Sequence, residues 1–227
     1  MTIKSLLVAG SGWGVGKTVT MATLLCELQA QTGRLDWGLM KLIQCGGEDN
    51  AVLADWLHFE GVELATPLRF SACLAPALAA SKAEQTVSLA PVWKAFAQMG
   101  QDYRGVLVEG VGSLSSAITP QSTLADVAAD WKLPVLLVAA VRPEVLSELV
   151  AQVALARQAR CDLRGIVLNC ATPEAQQYLM DWAPPLLVEQ MTGYPVLGKL
   201  PYLAGGDRSA ARLSRIAAEL DLGAVWS

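Results

Sequence analysis

One histidine, His58, serves a chain of 227 residues. A hydrolytic triad with histidine as its base would have to be built on that residue, and nothing near it in the sequence supplies a nucleophile. Charge is also scarce. Asp, Glu, Lys and Arg make up 17% of the chain, and a net charge of −4 gives no basic surface for nucleic acid. The longest uncharged apolar run, 133–141, falls far short of a bilayer's thickness, so no membrane span is expected. No basic start followed by an apolar segment and a cleavage site is present, and the chain reads as cytoplasmic. The five cysteines (Cys26, Cys45, Cys73, Cys161, Cys170) form no C-x-x-C pair. That argues against a zinc site or a disulfide framework and for reduced, packed thiols.

What the chain has in quantity is apolar surface. Its hydrophobic content of 53% suits a compact domain with some surface left for a partner subunit. The length fits one domain over residues 1–227, and no linker, repeat or low-complexity segment divides it. Short apolar runs predict strands over 3–9, 38–43, 105–109, 134–140, 165–169 and 196–200. Helical patterns cover 17–31, 85–99, 144–160, 174–182 and 208–220. Strands without polar alternation belong in a sheet covered on both faces. The expected fold is therefore α/β: a single, doubly wound, mostly parallel sheet flanked by helices. Residues 44–82 are the least regular, and they follow the carboxyl end of a strand, where such sheets place their ligands.

The segment 10–18, G-S-G-W-G-V-G-K-T, lies between the apolar run at 6–9 and the first helical pattern. Strand, glycine-rich turn and helix form the context of a phosphate-binding loop. Its glycines let successive N–H groups face an anion, and the helix dipole reinforces them. Lys17 would reach the β- and γ-phosphates, and the Thr18 hydroxyl would meet Mg²⁺. The spacing departs from the standard loop, because Ser11 stands where that loop needs glycine and the first glycine comes one residue earlier. Gly12 occupies the position of the signature lysine of partitioning-type ATPases. The chain thus reads as a nucleoside triphosphate binder of the P-loop NTPase type.

Other positions carry two readings each. Glu109 closes V-L-V-E-G, where a carboxylate completes Mg²⁺ coordination or merely begins a loop. Lys41, amid apolar residues, is either a second cation on a phosphoryl group or a lysine snorkelling at a strand edge. Asp49 is a helix cap or a second carboxylate for Mg²⁺, and chemistry does not separate it from Glu48. Asn169 ends G-I-V-L-N and suits the edge of an adenine or a turn. Trp13, a large aromatic inside the loop, would lie over the nucleotide or in a neighbouring substrate pocket.

Together these residues resemble the dethiobiotin synthetase family, particularly its cyanobacterial members, over nearly the whole chain. The loop at 10–18 has the early glycine and length of the family's G-T-D-T-E-V-G-K-T. K-L-I-Q-C-G (41–46) is similar to its K-P-I-x-[ST]-G, and V-E-G-V-G-S (108–113) to its V-E-G-A-G-G. L-P-V-L-L-V, G-I-V-L-N-C and P-V-L-G-K-L-P follow in the family's order. The resemblance implies an ATP- and Mg²⁺-dependent ligase that joins CO₂ or bicarbonate to a diamino carboxylic acid, 7,8-diaminopelargonic acid. The reaction passes through a carbamate and a carbamic–phosphoric anhydride. The family is homodimeric, which implies a homodimer here. By the same resemblance Lys17 and Lys41 are catalytic, and Gly14, Val15, Gly16, Lys17, Thr18 and Val19 bind ATP. Glu109, Gly112, Asn169, Cys170 and Pro201 complete the ATP site. Thr18, Asp49 and Glu109 hold the metal, and Trp13 and Cys45 face the amino-acid substrate.

The departures fall mostly on the substrate side. Gly12-Trp13-Gly14 replaces the family's Asp-Thr-Glu, Leu42 its proline, Cys45 a Ser or Thr, and Ser113 a second glycine. Pro143-Glu144-Val145 replaces an L-G-x stretch that begins a carboxylate-holding helix, and an acid there would repel that carboxylate. Two alternatives follow: a related ATPase or ligase activating another carboxylate, or a catalytically weakened nucleotide-binding homologue.

Overall fold

The computed structural model describes residues 4–34, 36–47, 64–204 and 209–226. Seven parallel strands form its main sheet: β1 (Ser5–Gly10), β2 (Trp37–Lys41), β4 (Leu64–Ala65), β6 (Gly105–Ser113), β7 (Pro134–Ala140), β8 (Asp162–Asn169) and β9 (Val196–Leu200). Their order is β4-β2-β6-β1-β7-β8-β9. A small parallel pair, β3 (Gln44–Cys45) and β5 (Arg69–Phe70), follows the end of β2.

The apolar runs explain the layers. Along β1, Leu6 and Val8 enter one core with Leu107, Leu136 and Val138, while Leu7 and Ala9 enter the other with Val108, Val135 and Leu137. Successive strand residues face opposite sides, so a strand buried on both faces must be apolar throughout. The first core is closed by α1 (Lys17–Thr32), through Met21, Leu24, Leu25 and Leu28, with α9 (Ala210–Ala217) and α10 (Gly223–Trp226) beside it. The second is closed by α2 (Pro76–Lys82), α3 (Ala90–Asp102), α4 (Leu124–Asp130), α5 (Val145–Ala159), α6 (Pro173–Gln177), α7 (Leu179–Trp182) and α8 (Pro185–Thr192). Among the described residues no helix is long and apolar enough to cross a membrane.

The expected α/β architecture is present, with differences in detail: the helix expected over 85–99 is α3, at Ala90–Asp102, and β3, β4, β5 and α10 lie outside the expected spans. β6 extends to Ser113, so Glu109 lies inside a strand rather than ending one. A register shift between Val8 and Gly10 lets β6 continue beside the phosphate-loop turn. The helix expected over 174–182 is two short helices that meet at Tyr178, whose φ of −103° and ψ of 19° leave the helical region. Three further short helices, α2, α4 and α8, lie between the expected elements.

Candidate active site

The carboxyl ends of β1, β2, β6, β8 and β9 surround one cavity of about 620 Å³. Its lining contains Gly14, Gly16, Lys17, Thr18 and Val19 from the turn and α1, Lys41 and Cys45 from the β2–β3 segment, and Glu109 and Gly112 from β6. Asn169, Cys170 and Pro201 close the opposite wall, and Trp13 stands at the front. Every described residue expected from the sequence to bind ATP, metal or substrate therefore lines this cavity except Val15, whose side chain is buried in the core beneath. Asp49, its neighbour Glu48, and His58 lie outside the described residues.

The turn is built for an anion. Gly16 precedes α1 at φ 99°, and no side chain caps the helix there. Its first N–H groups are thus left for a ligand, at the positive end of sixteen residues of helix. A side chain on Gly16 would collide with the Asn169 amide, and one on Gly10 would meet Val15 Cγ2 at 2.7 Å and the Gly112 carbonyl at 2.9 Å. Glycine is required at both points by space, and at Gly16 also by conformation. The Lys17 ammonium is buried over the turn and donates to the carbonyls of Gly12 at 3.2 Å and Gly112 at 3.0 Å.

Charge is concentrated opposite. Lys41 and Glu109 are direct neighbours in the parallel pairing of β2 and β6, and their side chains form an ion pair of 3.5 Å with both groups buried. The same oxygen, Glu109 Oε1, accepts from the Thr18 hydroxyl at 3.0 Å. Glu109 Oε2 is buried and has no hydrogen-bond partner among the described residues. A buried carboxylate oxygen beside a hydroxyl, both hard donors, fits a divalent cation such as Mg²⁺. Burial pushes the Cys45 thiol up to about 11, with the nearby Cys73 adding to the rise and Lys41 opposing it. Cys45 therefore meets the cavity as a neutral thiol at neutral pH.

Asn169 does more than line the wall. Its amide donates to the Val15 carbonyl at 3.0 Å and ties the end of β8 to the turn. Seven lining residues were not assigned to the site from the sequence: Ile43, Gln44, Gly110, Val111, Ala171, Tyr202 and Leu203. Gln44 donates to the Gly46 carbonyl at 2.6 Å and steadies the turn after β3. Its place, with Ile43, in the K-L-I-Q-C-G segment was the available signal, as was that of Gly110 and Val111 in V-E-G-V-G-S; Ala171, Tyr202 and Leu203 carry none beyond following Asn169 and Pro201.

Fold and site together define a P-loop ATPase. The chain matches the AAA domain family over residues 4–209. Its fold is shared by a ParA family ATPase from Chlorobium tepidum TLS, with a TM-score of 0.57, 12% identity and coverage of 99% and 97% of the two chains. Narrower likeness comes from an ATP-dependent dethiobiotin synthetase of Synechocystis sp., 43% identical over 96% of this chain and 93% of the relative. The corresponding synthetase of Gloeothece citriformis is 37% identical, with 96% of each chain covered. The chain belongs to the ATP-dependent dethiobiotin synthetase family.

Proposed function

We infer that the protein is the ligase of biotin biosynthesis that makes dethiobiotin at the expense of ATP, and that it takes residues 1–227 as one synthetase domain to do so. The observation carrying this reading is the convergence of Lys17, Lys41, Thr18 and Glu109 on one cavity at the end of a phosphate-binding turn. The triphosphate lies on the turn, with the N–H groups of Gly14 to Val19 facing it. Asn169, Cys170 and Pro201 flank the base. The seven-strand sheet holding all these groups supports a single working unit.

One amine of 7,8-diaminopelargonic acid takes up CO₂, loses a proton and becomes a carbamate. A carbamate oxygen attacks the γ-phosphorus, the bond to the bridging oxygen breaks, and ADP leaves. The second amine then attacks the carbonyl carbon of the resulting carbamic–phosphoric anhydride, loses a proton and expels phosphate as the ring closes. Lys17 and Lys41 bring two positive charges to the anions that meet, which is most of what phosphoryl transfer asks of a protein. Mg²⁺ would be held by Thr18 and Glu109, with Asp49 as the further carboxylate, and would supply positive charge to neutralise the phosphates. Trp13 and Cys45 shape the amine side of the cavity. A cytoplasmic homodimer completes the reading; exposed Met180, Leu186 and Met191 on α7 and α8 support an apolar contact with a second copy.

Purified protein should release phosphate from ATP only when diaminopelargonate, bicarbonate and Mg²⁺ are all supplied. Phosphate release indifferent to the diamine would replace this substrate with another.

A further inference from the structure

Ser11, the residue that breaks the standard loop spacing, is buried, and its hydroxyl donates to Glu148 Oε2 at 3.1 Å. Glu148 stands in the first turn of α5, and its other oxygen accepts from Arg142 Nη2 at 2.6 Å and Nε at 3.1 Å. Arg142 in turn reaches the loop, for a side-chain carbon on Gly12 would lie 3.8 Å from its Nη2. An isolated ion pair this exposed, 47% for Arg142 and 25% for Glu148, contributes little to stability. This pair is tied instead to a buried hydroxyl at the entry of the phosphate loop.

The loop is thus pinned on both sides of its front turn. Glu148 holds Ser11, whose own N–H donates to the Val138 carbonyl at 2.8 Å, and Asn169 holds the Val15 carbonyl. Between the pins lie Gly12, Trp13 and Gly14, and Trp13 is 51% exposed beside Gly112. Among the described residues Lys17 also holds that turn, donating to the Gly12 carbonyl. A phosphate would compete for that same ammonium.

We propose that Glu148 is a positioning residue that keeps the 12–14 turn, and with it Trp13, in place on the acceptor side of the site once Lys17 turns to a phosphate. The proposal rests on the functional reading above for the identity of the acceptor, but its geometry is testable without turnover. Protein labelled with 5-fluorotryptophan gives a fluorine resonance for Trp13, assigned by Trp13→Phe. In Glu148→Ala that resonance should stay sharp without nucleotide and broaden when a non-hydrolysable ATP analogue is added. Ser11→Ala should do the same, and Glu148→Gln, which keeps an acceptor for the hydroxyl, should restore a sharp line. In a Lys17→Met background Glu148→Ala should broaden the line with no nucleotide present, which separates this proposal from any failure of ATP binding. In the assay, Glu148→Ala should raise the diamine KM about tenfold while the ATP analogue Kd stays within about twofold, as loss of one charge-assisted hydrogen bond implies. The Ser11→Ala/Glu148→Ala double variant should add nothing to either single one. An unbroadened Trp13 line in Glu148→Ala with analogue, and again in the Lys17→Met background, would overturn the proposal, as would equal losses in ATP and diamine binding.

Discussion

Lys17 and Lys41 carry the same charge into one cavity, but their surroundings differ. Lys17 hangs over the turn and donates to the carbonyls of Gly12 and Gly112, which on the proposed reading makes it part of the cradle a triphosphate would meet. Lys41 reaches in from β2 and is held by Glu109 across the sheet. Lys17→Ala should therefore weaken nucleotide binding and turnover together. Lys41→Ala should leave ATP bound while lowering kcat about a hundredfold or more, the scale of a lost transition-state charge worth about 3 kcal/mol. Equal losses in binding for the two variants, measured by calorimetry, would remove Lys41 from the transition state. Lys17 and Thr18 were legible as candidates from the glycine-rich turn that precedes them, and Lys41, Glu109 and Asn169 because each follows an apolar run. Glu148 was not: its partner Ser11 lies 137 residues away, and no local pattern connects them.

Among the elements, the legible ones are those with long buried faces. β7 and β9 occupy the spans their apolar runs predict, and α5 agrees to within a residue at each end. Short helices escaped because seven or eight residues carry too little periodicity, although their starts were marked. Proline stands at the first turn of α2 and α8, and α4 begins with a reciprocal cap. In that cap the Thr123 N–H and hydroxyl each donate to Asp126 at 2.7 Å, while the Asp126 N–H donates back to Thr123 Oγ1 at 3.3 Å. These bonds, the backbone one first, hold the Asp126 carboxyl below its ordinary 3.8. A depressed carboxyl stabilises the fold above its unfolded value and loses that contribution as pH falls through the folded one. Thr123→Ala should cost about 1 kcal/mol in urea unfolding at pH 7. Asp126→Asn should also destabilise at pH 7, and its deficit should shrink below pH 3.8. A deficit independent of pH would remove the carboxylate from the cap's energetics.

For the whole molecule, the cavity gathers segments far apart in the chain: the turn after β1, the β2–β3 segment, β6 and the ends of β8 and β9. A ligand that touches all of them resists the unfolding of the sheet as a unit. ATP analogue with Mg²⁺ at a hundred times its Kd should stabilise the protein by about 2.7 kcal/mol, seen as a rise in Tm that grows with ligand concentration. A Tm unmoved by nucleotide would contradict a site spread over the sheet. Of the irregular stretch 44–82, Gln44 and Cys45 line the cavity and residues 48–63 lie outside the described residues; the pairing of β3 with β5 was not legible because it rests on two residues from each strand.

The pairing of Lys41 with Glu109 has a consequence for how the sheet assembles. In the native alignment of β2 with β6 the two charges stand side by side and neutralise each other. Because side chains alternate across a strand, a slip of one residue would send a lone ammonium and a lone carboxylate to opposite hydrocarbon layers, each at a cost of several kcal/mol. The buried pair therefore also acts as a key for chain alignment, since only the native register lets the two charges meet.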